Sequence, residues 1–304
     1  MTTSEAVPSR YTYGIDTAEL VAIDFHTHVE VDSCGHRALD DALVEASAKY
    51  FKTGTVDRIA SIEKIADTYR ERKMAAVVFT VDGLSATGHP VNSIEEIAEY
   101  AARNNDVLIP FGSVDPHQGK AATRKARTLL ERHGVKGFKF HPSVQAFEPN
   151  DRAYYPLYEL LAEHQVPALF HTGQTGIGAG LPGGHGIKLR YSDPMLLDDV
   201  AADFPELPIV MAHPAVPWMD SQISIATHKS NVYIDLSGWS PKYFPPQLIR
   251  AANTFLRDKL LFGSDYPVLH VDRWMADFHD LDIKPDVIPS ILKNNALRVL
   301  GIGQ

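Results

Sequence analysis

The sequence predicts an α/β protein with a single-domain (β/α)8 TIM barrel that spans residues 1–304. Eight short apolar runs rich in β-branched residues recur along the chain, and helix-like patterns separate most of them. This alternation indicates right-handed βαβ units and a parallel sheet, and 304 residues suit eight such units. An open doubly wound sheet is the alternative. It would need a glycine-rich phosphate turn after an early strand, and none follows the first run.

The predicted strands cover, in order, residues 21–26, 75–80, 107–112, 137–141, 167–171, 208–213, 232–236 and 260–265. Their nearly continuous apolar character is typical of a sheet buried on both faces, although Pro110 weakens the third strand. Between the strands, apolar residues at three- and four-residue steps predict helices over residues 56–73, 93–104, 119–133, 154–164 and 194–204. Ser93, followed by Glu95 and Glu96, is typical of a capped helix start.

Three segments lie outside this repeat. Residues 1–20 form an N-terminal extension before the first strand. Residues 36–55 make the first strand-to-helix loop much longer than usual. Residues 172–191 follow the fifth strand and contain seven glycines, which predicts a mobile active-site loop that closes over a site.

The charge and composition exclude several classes of function. The net charge is −9 and the chain has no basic run, which argues against nucleic acid or an anionic membrane as the main partner. The single cysteine excludes an intrachain disulfide and a cysteine-rich zinc module. The first ten residues have no apolar signal region, and no apolar stretch approaches the length of a membrane span, so the expected compartment is the cytoplasm.

Histidines concentrate at the predicted strand ends, where barrel enzymes place their reactive groups. Fourteen histidines in 304 residues would give about one among the roughly 24 strand-end positions of a barrel. The sequence places five there and adds one carboxylate at the end of the eighth strand: His26, His28, His141, His171, His213 and Asp265. This clustering is the strongest functional signal in the chain.

A divalent metal ion is the cofactor that these residue types favour. His26 and His28 lie two residues apart on a strand, so both imidazoles share one face. Several imidazoles with one carboxylate suit a borderline transition metal, with zinc as the first choice and manganese or iron as alternatives. The competing interpretation is a network of hydrogen-bonded core histidines.

These motifs together resemble the amidohydrolase superfamily. The resemblance rests on Asp24-Phe25-His26-Thr27-His28, His171, His213-Pro214 and Phe262-Gly263-Ser264-Asp265-Tyr266-Pro267, and it extends from about residue 23 to residue 301. Within that superfamily, the chain is similar to the amidohydrolase-related branch, which includes aminocarboxymuconate semialdehyde decarboxylase and γ-resorcylate decarboxylase. The resemblance implies that His26, His28, His171 and Asp265 bind one metal ion and that His213 is the catalytic acid–base group. It also implies a small-molecule substrate and, by analogy, a homo-oligomer.

Five residues are predicted to contact the substrate, and one of them, His141, is already among the strand-end histidines. Lys139 and His141 lie two apart on the fourth strand and should both point inward. Some superfamily members carry a metal-bridging carboxylated lysine on that strand, but we expect Lys139 to act on the substrate or electrostatically. The other three predicted contacts are Gln145, Arg190 and Trp239, on loops beyond strands four, five and seven.

The sequence leaves the reaction open. We expect hydrolysis of an ester, lactone or amide bond by metal-activated water, with Asp265 managing the water's proton and His213 stabilising the oxyanion. Non-oxidative decarboxylation of an aromatic or unsaturated acid is the alternative, and a carbon–carbon hydrolase or hydratase is a third. An inactive barrel that acts as a binding protein is the remote alternative. It would be favoured by a missing ligand, and none is missing.

Overall fold

The computed structural model describes residues 10–51 and 60–303. Its eight strands are β1 (Ala22–His28), β2 (Met74–Phe79), β3 (Leu108–Pro110), β4 (Phe138–Phe140), β5 (Ala168–His171), β6 (Ile209–Ala212), β7 (Val232–Asp235) and β8 (Leu260–Leu261). All neighbouring strands pair in parallel, in the orders β1-β2-β3 and β4-β5-β6-β7-β8. The eight predicted strands are therefore confirmed: β1 extends two residues further than predicted, to His28, β2 is shifted by one residue, and the other six are shorter.

Backbone hydrogen bonds join the two sets of strands at both seams. Gly112 N donates to Gly137 O at 2.8 Å, and Lys139 N donates to Gly112 O at 2.9 Å, which connects β3 to β4. On the other side, Phe25 N donates to Phe262 O at 2.8 Å, and His28 N donates to Tyr266 O at 2.8 Å. These bonds link β8 back to β1, as the predicted barrel requires.

Helices surround the strands. The α-helices are α1 (Asp41–Phe51), α2 (Ile62–Arg70), α3 (Leu84–Thr87), α4 (Ile94–Arg103), α5 (Lys120–Thr128), α6 (Pro142–Gln145), α7 (Tyr155–Glu163), α8 (Met195–Asp203), α9 (Met219–His228), α10 (Pro246–Ala252), α11 (Val271–His279) and α12 (Asn295–Leu300). Short 3-10 turns occupy Pro116–Gln118, Arg152–Tyr154, Pro182–Gly186, Leu189–Ser192 and Pro241–Tyr243, and π-helical turns occupy Leu129–His133 and Ser290–Asn294.

Most helix predictions agree with these bounds, and one long loop does not. Ser93 caps α4 through its side chain, as the sequence indicated. The helix predicted over 56–73 begins at Ile62, and residues 52–59 lie outside the described part of the chain. The segment predicted as an extended first loop contains α1. Its alanines, leucine and glutamate are good helix formers, and this local preference outweighs the position of the segment between a strand and the next helix.

Two apolar layers pack on either side of the strands. Ile23, Phe25, Val77, Leu169 and Val210 belong to a cluster that fills the barrel interior. The alternate strand residues join a larger cluster with the helices. Burial on both faces explains why the strands read as continuous apolar runs.

A β-bulge in β1 changes which face its side chains occupy. Asp24 pairs with Ala76 and Thr27 pairs with Val78, so Phe25 and His26 together oppose Val77. Phe25 packs in the interior cluster, and without the bulge His26 would point at the helices. The carboxylate of Asp24 binds the irregular backbone by accepting from His26 N at 3.0 Å. The bulge therefore carries His26 and His28 to the interior side of the barrel mouth.

In the described residues, no helix combines the length and the apolar character that a membrane crossing requires.

Candidate metal centre and active-site cavity

A cavity of about 610 Å³ opens at the carboxyl ends of the strands. Polar groups from β1, β4, β5, β6 and β8 meet in it, and they include His28, Lys139, His171, His213 and Asp265. Apolar and aromatic side chains supply much of the rest of the lining: Leu39, Val44, Tyr50, Phe51, Val81, Val144, Ile177, Trp239, Tyr243, Val268 and Leu269. The strand-end residues that the sequence singled out therefore line one cavity, except His26, whose Nε2 lies 3.2 Å from Asp265 Oδ1.

His26, His28 and Asp265 form a compact group of metal-ligand atoms. One ligand atom from each lies within 4.8 Å of the others. His26 Nε2 and His28 Nε2 each lie 3.2 Å from Asp265 Oδ1, and they are 3.2 Å from each other. Three nitrogen and oxygen donors at this separation can converge on one ion.

Asp265 is held in place by its backbone. Its φ of +66° lies in the left-handed region, which is uncommon for residues other than glycine and concentrates at functional sites. Its backbone N–H donates to His26 O at 2.9 Å, which couples it to the bulged strand. Burial would raise the pKa of Asp265, but the hydrogen bond with His28 and the neighbouring charges of His213, His28 and Lys139 hold that pKa below its usual value. The carboxylate is thus ionised and able to bind a cation.

His171 lies at the end of β5, beside this group rather than inside it. Its ring stacks on His141 with centroids 3.8 Å apart, and its centroid is 4.7 Å from that of His213. Its Nε2 is buried and is one of three buried side-chain polar atoms in the described chain without a hydrogen-bond partner. A buried nitrogen without a partner is costly, and a metal ion would satisfy it.

His213 follows β6 with a φ of +74° and lines the cavity. Ser237 Oγ lies 3.0 Å from its Nδ1. Burial lowers the pKa of His213 to about 4, although the carboxylate of Asp265 opposes the fall. A Cβ on Gly238 would overlap the His213 ring, so this position accepts only glycine while the ring stays in place.

Lys139 brings a cation to the floor of the cavity. Its side chain is fully buried, and Nζ lies 3.1 Å from His26 Nε2 and 5.1 Å from the centre of the Phe79 ring. Burial lowers the pKa of Lys139 to about 8, and the carboxylates of Asp265 and Asp235 limit the fall. The same cation and burial depress the pKa of His26. The inward orientation predicted from the two-residue strand period is confirmed.

Asp235, at the end of β7, is a site residue that the sequence analysis missed. Its buried Oδ2 lies 2.5 Å from His26 Nδ1, on the ring edge opposite the metal-ligand group. Burial raises the pKa of Asp235, while its hydrogen bond with Ser237 and the charge of Lys139 lower it. A Cβ on Gly263 would overlap this carboxylate, so that glycine makes room for it. The feature of the sequence that could have identified Asp235 is its position at the end of a predicted strand.

The predicted substrate contacts divide into two groups. His141 and Trp239 line the cavity. Gln145 does not, because its side chain binds protein on every side: it accepts from His141 N and donates to the carbonyls of Asp82 and Val114. Arg190 lies at the surface with a 2.5 Å ion pair to Glu148. The assignments of Gln145 and Arg190 as substrate contacts are therefore corrected.

The structure instead brings two other arginines to the cavity, Arg37 and Arg273. Arg37 precedes α1 and pairs with Asp41 at 3.1 Å, while Arg273 lies on α11. Neither lies at the end of a strand, so the position that marks the other polar residues of the cavity does not mark these two. The loop after β5 contributes Gln174, Thr175, Gly176 and Ile177 to the wall.

The donor set fits a single divalent ion. His26, His28 and Asp265 supply converging atoms, and His171 supplies a buried nitrogen with no partner among the described residues. Asp235 lies behind His26, as carboxylates commonly do behind metal-binding histidines. Such an arrangement can bind a metal ion and place it beside a buried lysine and a neutral histidine.

Comparison with known protein families gives a match over nearly the whole chain. The model of a family described as amidohydrolase matches residues 23–302. A search of curated proteins found no match.

Solved structures with the same fold come from several bacteria. An uncharacterised TIM-barrel protein from Bordetella bronchiseptica superposes with a TM-score of 0.74 at 25% identity, covering 92% of this chain and 98% of its own. A 2,6-dihydroxybenzoate decarboxylase from Rhizobium gives a TM-score of 0.66 at 15% identity, covering 93% and 99%. A dihydroxybenzoic acid decarboxylase from a Polaromonas species, with bound manganese and the inhibitor 2-nitroresorcinol, gives 0.65 at 16% identity, covering 93% and 97%.

Proposed function

Because the chain belongs to the amidohydrolase family, whose model matches residues 23–302, we propose that it catalyses metal-dependent, non-oxidative decarboxylation of a small aromatic or unsaturated carboxylic acid. The observation that carries this proposal is Lys139, a fully buried cation beside the His26, His28 and Asp265 group in an aromatic-lined cavity. A buried cation next to a metal-ligand cluster suits an anionic substrate.

The comparisons support decarboxylation over the hydrolysis that the sequence analysis put first. Two of the solved structures with the same fold are decarboxylases of dihydroxybenzoic acids, although their identity to this chain is only 15–16%. The proposal extends to the reaction class and leaves the particular acid to experiment.

We assign one divalent ion to His26, His28, His171 and Asp265. Zinc suits the three imidazoles, and the manganese in the Polaromonas structure makes that ion the second one to test. When bound, the ion supplies positive charge that attracts carboxylate and hydroxyl oxygens and stabilises the negative charge developing during the reaction.

The residues around the metal group would perform the remaining steps. The charge of Lys139 draws the substrate carboxylate to the floor of the cavity, and the aromatic walls exclude water from the leaving group. As the carbon–carbon bond breaks, its electron pair stays on the ring carbon and carbon dioxide leaves. The carbon then needs one proton: His213, which is neutral before the reaction, takes it up from solvent and delivers it to that carbon.

Elemental analysis combined with a product screen tests this function. The purified chain is loaded with zinc or manganese and offered hydroxybenzoates, aryl esters and lactones, with products read by mass spectrometry. Loss of carbon dioxide with one metal ion per chain is the expected result. Products that gain the mass of water would move the chain to hydrolysis, and a chain that takes up no metal would contradict the whole assignment.

A matched pair of histidine variants links the activity to the site. His171→Ala removes the buried nitrogen without a partner and should lower metal content and turnover together. His164→Ala removes an exposed histidine at the end of α7 and should change neither.

A further inference from the structure

Asp235 and Ser237 connect the two most important histidines of the site. Asp235 is the last residue of β7 and Ser237 lies two residues beyond it, and both side chains are fully buried. Asp235 Oδ2 lies 2.5 Å from His26 Nδ1, and Ser237 Oγ lies 3.0 Å from both His26 Nδ1 and His213 Nδ1. Neither residue was assigned a role by the sequence or by the resemblance.

We propose that Asp235 and Ser237 are positioning residues that fix the Nδ1–H tautomer of both His26 and His213, so that each histidine presents an unprotonated Nε2 to the metal and substrate side of the site.

The hydrogen bonds around His26 determine the position of its proton. His26 Nε2 lies 3.1 Å from the ammonium group of Lys139, which can only donate, and 3.2 Å from Asp265 Oδ1, which can only accept. His26 Nδ1 faces the nearer carboxylate oxygen, Asp235 Oδ2 at 2.5 Å, so we place the ring proton on Nδ1 and leave Nε2 to accept from Lys139. The carboxylate also accepts from the backbone N–H of Ser237 at 3.0 Å, which fixes its plane.

The hydroxyl group of Ser237 determines the position of the ring proton of His213. Ser237 donates its only proton to Asp235 Oδ2 at 2.9 Å. Its oxygen can then only accept from His213 Nδ1, which must carry the ring proton. Since His213 lines the cavity and Nδ1 is engaged, Nε2 is the nitrogen left for substrate.

Two glycines keep this arrangement free of competing atoms. A Cβ on Gly263 would overlap Asp235 Oδ1, and a Cβ on Gly238 would overlap the His213 ring. A larger residue at Gly263 would displace Asp235, and one at Gly238 would displace His213. Glycine at both positions therefore keeps the contacts between these residues intact.

The proposal takes the cavity as the active site and in that respect rests on the proposed function, but its test needs no substrate. In protein with ¹⁵N-labelled histidine, long-range nitrogen–proton correlations report which ring nitrogen is protonated. We expect Nδ1–H at His26 and His213 in the metal-free wild type at neutral pH. An Nε2–H form at either ring would overturn the proposal without bearing on whether the enzyme decarboxylates or hydrolyses.

Variants separate positioning from general stability. Ser237→Ala should release His213 from its Nδ1–H form while His26 keeps its own. Ser113→Ala is the matched control: it removes an equally buried serine hydroxyl at the end of β3, which bonds to the backbone of Asp82 and Lys139 and to no histidine. Loss of the tautomer preference in both variants, or in neither, would contradict the proposal.

Asp235→Asn tests the metal side. An amide has one acceptor oxygen where the carboxylate has two, so either Ser237 N–H or His26 Nδ1–H loses its partner. We expect the zinc dissociation constant to rise roughly 10–100-fold, as for other residues that orient a metal-binding histidine. Unchanged zinc affinity in a folded variant would refute this role, and the wild-type spectrum remains decisive if the variant does not fold.

Discussion

Replacing Gly238 with alanine should disable His213 while leaving the barrel folded. Gly238 has a φ of +75°, and a Cβ built on it lies within 3.0 Å of three atoms of the His213 ring. Van der Waals contact between such atoms needs about 3.5 Å, so the ring must retreat by roughly 0.5–1 Å. A displacement of about 1 Å at a reacting group can cost about 100-fold in rate.

Gly301→Ala provides the matched control. Gly301 ends α12 with a φ of +65°, and no atom of the described part of the chain lies within 4 Å of a Cβ built there. Both variants carry the cost of a left-handed alanine, about 1–2 kcal/mol of unfolding free energy. Only Gly238→Ala adds the overlap with His213.

Urea unfolding and turnover, measured side by side, separate the two effects. We expect Gly301→Ala to lose about 1–2 kcal/mol of stability and to keep its turnover. Gly238→Ala should lose at least as much stability and about 100-fold in kcat. Equal turnover in the two variants would mean either that His213 tolerates the shift or that it takes no part in the reaction, and the reasoning would fail.

Three further predictions follow from the same site. Asp265→Asn should lose bound metal and turnover with little change in far-UV circular dichroism, and a collapse of the fold would instead make the cluster structural. Trp239→Ala removes part of the aromatic wall and should raise KM by about tenfold, or about 1.4 kcal/mol, with a smaller change in kcat; an unchanged KM would place substrate elsewhere in the cavity. Burial raises the pKa of Asp24 to about 6, so the folded chain holds this proton more tightly than the unfolded chain between about pH 4 and 6. As the pH rises through that window, the unfolding free energy of the wild type should therefore fall by about 3 kcal/mol relative to that of Asp24→Asn, measured by urea unfolding. A difference between the two proteins that does not change with pH would contradict the cost of the buried charge.

The two-residue period of the strands and the position of polar residues at strand ends were enough to predict most of the barrel and much of the site. The strands were visible because burial on both faces selects apolar residues along their whole length. Lys139 and His141 were placed inward correctly because residues two apart share a strand face. For these residues, the structure adds only the distances between their side chains.

The remaining site residues depend on contacts between distant parts of the chain. Gln145 looked like a free loop amide, but its side chain binds three backbone groups, and two of them, Asp82 O and Val114 O, come from other segments. Asp235 read as an ordinary strand residue until His26, 209 positions away, was placed against it. Arg37 reaches the cavity from the loop before α1, and Arg273 reaches it from α11, so neither lies at a strand end. No local pattern encodes such pairings.

The bulge in β1 divides the strand into two parts: odd-numbered side chains point into the barrel before it, and even-numbered side chains do so after it. The first part, with Ile23 and Phe25, follows the packing of the barrel interior, and the second, with His26 and His28, follows the geometry of the site. Substitutions that repack the core can therefore accumulate in the first part without turning the ligands. Deleting one residue between them would leave the composition of the strand almost intact and rotate both histidines out of the barrel. The site thus tolerates changes of residue in this strand far better than changes of length.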